Sequence, residues 1–164
     1  MPALHENADV SAGAINNAGD VVGTESFDGS SRVLLYSHGA VQAIEPIYAG
    51  GSLSSYDINE RGWIVGGLNQ PIGGGSLQGN AYLYRDGTVH NLNDLLTPAA
   101  RSDWQLIFAT GINERGQVVG VGLTNGRAVG FIATPVPEPA SVTLMLAGLM
   151  TVAFAARAGR RTQR

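Results

Sequence analysis

Three histidines, thirteen carboxylates and no cysteine set the chemistry open to this chain of 164 residues. Without cysteine there is no thiol nucleophile, no thiolate metal site and no disulfide framework, and the redox compartment stays undecided. Metal ligation needs several ligands converging in space, yet His5, His38 and His90 are scattered, with no His-x-x-x-His spacing. They read as solvated turn histidines, so neither a metal nor a cofactor is expected. Glycoside hydrolysis would need two carboxylates facing each other across a cleft. Asp57, Asp86 and Asp103 are the residues such a cleft would draw on, whereas Asp28-Gly29 and Asp86-Gly87 read as turn chemistry. Gly73-Gly74-Gly75 lacks the Lys-Ser/Thr of a phosphate loop, and no serine sits in a Gly-x-Ser-x-Gly elbow. No catalytic residue is therefore assigned, and a non-enzymatic role is expected.

Two binding chemistries remain. Tyr36, Tyr56, Tyr82, Tyr84, Trp63 and Trp104 could stack on sugar rings, although filling the core is the expectation for them. Nucleic acid is excluded by charge placement. All thirteen acidic residues lie at or before Glu138, with only six of the ten arginines. The body is acidic and cannot neutralise phosphates, while the last residues are basic.

The elements that must position these residues are announced by a repeat. GAINNAGDVVG (Gly13–Gly23), YDINERGWIVG (Tyr56–Gly66) and TGINERGQVVG (Thr110–Gly120) align without gaps. They share Ile-Asn-x-x-Gly-x-(Val/Ile)-Val-Gly at offsets of 43 and 54 residues, near the period of propeller blades or solenoid units. Asn16, Asn59 and Asn113 each stand three residues before a glycine: Gly19, Gly62 and Gly116. That spacing predicts a type I turn capped by asparagine, followed by glycine in the left-handed conformation and a bulge on the return strand. Isoleucine before the turn and paired β-branched residues after it are the two arms of a hairpin. Glu60-Arg61 and Glu114-Arg115 recur within the turn and are expected to form a solvated surface.

A second hairpin follows each of the first two phrases, over Ser31–Ile44 and Asn80–Leu92, turning at Gly39 and Gly87. Four short strands make one unit, as in a propeller blade. The third unit is shorter, with one strand over Gly126–Pro135. Between units, Leu68–Asn80 reads as a glycine-rich loop, and Asn93–Leu106 as a connection with a short helical turn before Trp104. The expected fold class is all-β: antiparallel four-stranded units in a partial or open β-propeller-like array, with one C-terminal transmembrane helix.

The turn phrase, the Leu-Tyr pairs at Tyr36 and Tyr84, and the Gly-Gly-Ser lead in Ala49–Asn59 resemble the bacterial extracellular repeats named for a His-Ala-Phe tripeptide. The tripeptide itself is replaced here by Arg32-Val33-Leu34 and Asn80-Ala81-Tyr82. The resemblance covers Ser11 to Thr134 and implies an exported, propeller-like repeat protein, without implying an activity. Three units are fewer than a closed ring uses, so an open assembly or a truncated chain is expected.

The C-terminus divides into three parts after the body at 1–134. Residues 135–139 are proline-rich and contain Val136, Pro137, Glu138 and Pro139; residues 140–156 carry no charge; residues 157–164 hold Arg157, Arg160, Arg161 and Arg164. A helix of seventeen residues would span roughly 25 Å, at the short end for a bilayer core, and the arginines would hold its C-terminal side in the cytoplasm. This order resembles the PEP-CTERM sorting signal of Gram-negative bacteria, whose tail families are also described as the C-terminal domain of ice-binding proteins. The scattered threonines give no flat array for ice. By resemblance, the partner is an exosortase-type protease of the inner membrane that recognises Pro137-Glu138-Pro139. It would release a transiently anchored precursor to the cell surface or exopolysaccharide matrix, where exopolysaccharide is a further candidate partner. MPALHENADV has neither a basic nor an apolar signal-peptide region, so a start further upstream is expected.

The sequence thus points to an exported, sorted repeat protein with a structural or ligand-binding role in a biofilm matrix. The alternatives are a secreted glycan-active enzyme on a propeller scaffold, or a truncated, non-functional fragment.

Overall fold

The computed structural model describes residues 1–135. The sorting residues Val136–Pro139, the apolar run 140–156 and Arg157, Arg160, Arg161 and Arg164 lie outside the described residues. Within the body the chain is all-β, arranged as three antiparallel sheets in sequence order. The first contains β1 (Asp9–Ile15), β2 (Val21–Phe27), β3 (Ser30–Ser37) and β4 (Ala40–Ile44). The second contains β5 (Ser52–Ile58), β6 (Ile64–Gly73), β7 (Ser76–Arg85) and β8 (Thr88–Asn91). The third has three strands, β9 (Gln105–Ile112), β10 (Val118–Thr124) and β11 (Arg127–Ala133). Each sheet is a meander, because every connection within it is a tight turn joining antiparallel neighbours.

The repeat phrase sits on the first two strands of every sheet. In each, the residue two before the phrase's asparagine-linked isoleucine is skipped by the pairing: Gly13 in β1, Tyr56 in β5 and Thr110 in β9. The bulge therefore falls on the entering strand, three positions before the asparagine, and not on the return strand as the glycine spacing suggested. The turn glycine is accommodated outside the ladder, so it has no pairing to disturb.

Side chains alternate across each sheet, so paired β-branched residues feed two different cores. Val22 of the first sheet and Ile64 of the second meet in one cluster with Val33, Leu53, Leu68 and Tyr82. Val65 of the second sheet and Val118 of the third meet in another with Ala81, Leu83, Leu106 and Ala109. The sheets stack face to face, first on second and second on third, and the middle sheet is covered on both faces. This explains why the phrase keeps two apolar residues in succession instead of alternating apolar with polar.

The glycine-rich loop expected over Leu68–Asn80 is largely strand. β6 and β7 extend past the sheet as a paired ribbon through Pro71 and Leu77, and only Gly74-Gly75 turn. The connection after β8 contains a 3-10 turn at Leu92–Leu95 and a helix, α1 (Pro98–Asp103), capped by the Thr97 hydroxyl and with no buried residue. Asn93 closes the base of this excursion, accepting from the Leu106 N–H at 2.7 Å and donating to the Leu106 carbonyl at 2.9 Å. Among the described residues no helix is long and apolar enough to cross a membrane.

Candidate functional site: a ladder of asparagine turns

The three phrase turns have one geometry. The Gly19, Gly62 and Gly116 amides donate to the carbonyls of Asn16, Asn59 and Asn113 at 3.1, 3.0 and 2.9 Å. Each asparagine amide in turn donates to the carbonyl four residues on, at 3.1 Å in all three copies. The glycines have φ of 84°, 73° and 76°, the left-handed region that other residues enter only under strain. The asparagine side-chain oxygen caps the turn from inside, accepting from the amides of Asp20, Trp63 and Gln117 at 2.9 to 3.0 Å. Asn59 and Asn113 accept a second amide, from Arg61 and Arg115.

The other half of the carboxamide reaches the neighbouring sheet. Asn16 Nδ2 donates to the Asn59 carbonyl at 3.2 Å, and Asn59 Nδ2 donates to the Asn113 carbonyl at 3.1 Å. Asparagine is selected because one side chain must accept locally and donate across the boundary; aspartate would lack the donor. Both bridging asparagines are buried, so a lost partner would leave a desolvated amide.

The recurring glutamates are exposed, as expected of a solvated turn surface, and they also take part in the same ladder. Glu60 Oε1 accepts the Asn17 backbone N–H at 2.9 Å and its Nδ2 at 2.6 Å. Glu114 Oε1 accepts the Glu60 N–H at 2.9 Å. Spacing alone did not reveal these roles, because the partner lies 43 or 54 residues away. A further bridge comes from Asp57, whose Oδ2 accepts the Ile112 N–H of the next sheet at 2.8 Å.

A carboxylate that the sequence reading passed over is the most buried. Glu25 is fully enclosed and accepts from Arg32 Nε at 2.7 Å and from the Leu4 and His5 amides at 2.6 and 2.8 Å. Burial pushes its pKa up, but the His5 amide, the Arg32 guanidinium and the Leu4 amide reverse this and leave it below the ordinary value. Arg32 also bonds Glu45 and lies over Phe27, on which His5 stacks at 4.4 Å. The group clasps the N-terminal arm to the first sheet. Asp20 is likewise held below its usual pKa, by hydrogen bonds from Ser37 and Asn16.

The remaining candidates do not gather. Asp57 is occupied between sheets, Asp86 sits in the β7–β8 turn with φ 52°, and Asp103 ends α1. His38 lies in the β3–β4 turn, and His90 is half-buried on β8. No group of three His, Asp or Glu side chains able to hold a metal occurs among the described residues. Tyr82 and Tyr84 are core residues, and Trp63 and Trp104 pack against the second cluster, leaving Tyr36 and Tyr56 exposed. The Tyr82 hydroxyl is buried without a partner, and burial pushes its pKa far up, so it remains protonated.

The family model described as "Protein of unknown function (DUF3466)" matches residues 5–132, which includes all three sheets and the whole ladder. No curated protein and no solved structure matches the chain.

Proposed function

We propose, starting from a chain that belongs to the DUF3466 family, that it is an exported repeat protein of the cell surface or exopolysaccharide matrix with a structural or ligand-binding role. One observation carries the reading: the order of Val136-Pro137-Glu138-Pro139, an uncharged run over 140–156, and the cluster Arg157, Arg160, Arg161 and Arg164. Prolines keep a recognition motif extended and accessible, an apolar helix holds it at a bilayer, and arginines fix which end stays inside. An exosortase-type protease would then separate the body from its anchor.

The body supports a scaffold role. Its repeated polar side chains are engaged in joining sheets, and Asp57, Asp86 and Asp103 stand on separate elements. In this reading the sheets are blades of an open propeller, and exposed Tyr36 and Tyr56 are the aromatic surfaces available to a polysaccharide. The test is to replace Pro137-Glu138-Pro139 by alanines in a host that processes such tails. The expected result is an uncleaved precursor retained in the inner membrane. Normal maturation of that variant would refute the sorting assignment.

A further inference from the structure

Position by position, each sheet presents one face to the unit before it and one to the unit after it. Among the described residues the outer face of the third sheet has no neighbouring sheet, and that of the first is covered only in part, by the N-terminal arm over Glu25 and Phe27. On the leading face, Ile58 and Ile112 are 5% and 9% exposed, but their equivalent Ile15 is 67% exposed. Tyr84 is buried, and its equivalent Tyr36 is exposed. On the trailing face the pattern is reversed. Val22 and Val65 are fully buried while Val119 is 41% exposed, and Leu83 is buried while Ile132 is 72% exposed.

The polar ladder stops at the same boundary. Asn113 Nδ2 makes only the bond within its own turn among the described residues, to Gln117 Oε1 at 2.8 Å, whereas Asn16 Nδ2 makes the equivalent bond to Asp20 Oδ2 at 3.0 Å and also reaches the next turn. Among the described residues the Glu114 N–H has no glutamate to accept it, although the Asn17 and Glu60 amides each have one. Gly111 holds the place that Asp57 holds one unit earlier. It lines a depression of about 350 Å³ with Ile112, Asn113, Val119 and Ile132. By the repeat geometry, this is where the isoleucine of a next unit would enter.

We propose that the body associates head to tail, the third sheet of one copy receiving the first sheet of another. The occupant is a second copy of this chain because its first unit carries the missing half of the contact. That half comprises the free apolar residues Ile15 and Tyr36, and an Asn16 carbonyl for Asn113 Nδ2. The joint continues an interface that the chain already forms twice, at Asn16–Asn59 and Asn59–Asn113. Asn17 stands where the other turns carry glutamate, so the joint has one shorter arm, with an amide oxygen to offer Glu114. The two surfaces differ, so the association is heterologous and propagates unless it closes into a ring.

The absence of cysteine makes the test clean. Full-length chains bearing Ile15→Cys and Ile132→Cys are mixed in detergent micelles and oxidised. Head-to-tail packing predicts mixed disulfides in clear excess over either homodimer; equal or dominant homodimers would overturn it. As a second arm, Ile15→Arg and Ile132→Arg each block one end at an exposed site, with circular dichroism checking that each variant is folded. Each alone should raise the dissociation constant by about tenfold or more. An equimolar mixture should recover dimers, because each variant keeps the face that the other lacks. Association indifferent to both substitutions would assign it to the tail, and monomers of the unsubstituted chain at all concentrations would also overturn the proposal.

Discussion

The side-chain amide of Asn59 donates to the backbone carbonyl of Asn113 at 3.1 Å, across the boundary between the second and third sheets. Its oxygen at the same time accepts the amides of Arg61 and Trp63 inside its own turn. One buried residue therefore shapes a hairpin and joins it to the next.

Asn59→Ala should destabilise the body by about 2–3 kcal/mol, since it removes three hydrogen bonds and leaves buried partners unsatisfied. Asn113→Ala should cost about 1 kcal/mol less, because Asn113 is more exposed and its Nδ2 bonds only within its own turn. Urea unfolding of both variants checks this. Equal losses would mean that the cross-sheet bond contributes nothing.

Gly62→Val should cost about 1 kcal/mol or more. A Cβ at Gly62 would meet nothing within 4 Å, so the penalty is purely conformational and arises from φ of 73°. Gly62→Asn should be milder, since asparagine enters the left-handed region more easily. Thermal melts of the two variants should rank valine below asparagine; the reverse order would discard the conformational explanation.

Glu25→Gln should lower stability at pH 7 by about 3 kcal/mol, leaving Arg32 beside a neutral and mismatched partner. The folded-state pKa of Glu25 is depressed. Its contribution is therefore complete above the unfolded value and is lost as pH falls through the folded one. Acidification below the ordinary glutamate range should release the N-terminal arm first, seen as faster hydrogen exchange at Leu4 and His5. The glutamine variant should show a flatter stability profile through that window, and an unchanged slope would remove Glu25 from the explanation.

In the proposed anchored precursor, replacing Arg157, Arg160, Arg161 and Arg164 together by glutamate should impair the inside orientation of the C-terminus. A C-terminal tag would then become accessible to protease added outside the inner membrane. Continued full protection would show that the arginines do not orient the tail.

The hairpins and their asparagine turns could be read because local residue chemistry decides them: a capping carboxamide, a glycine at positive φ, and isoleucine and valine on either side. The four-strand unit was readable for the same reason, since the paired positive-φ residues His38-Gly39 and Asp86-Gly87 announce tight hairpins. What escaped depends on distant partners. Glu60 and Glu114 are exposed charges whose partners exist only once the turns stack, and Glu25 stands in a polar strand whose enclosure comes from an arm twenty residues away. Gly73–Gly75 suggested a loose segment, but pairing of β6 with β7 continues up to the turn itself. Composition reports backbone freedom, and the ladder of an extended ribbon can override it.

The grip of Asn93 on Leu106 has a consequence for how this body can vary. The chain departs from the second sheet and rejoins the third at a clamped point, with Leu96 and Trp104 packed on the core on either side, so the largely exposed residues 97–103 form a side branch away from the spine. Entropy charges little for lengthening a loop whose ends are already fixed. That branch is therefore the natural place for inserted epitopes, recognition loops or whole small modules, carried along an array whose pitch they leave unaltered.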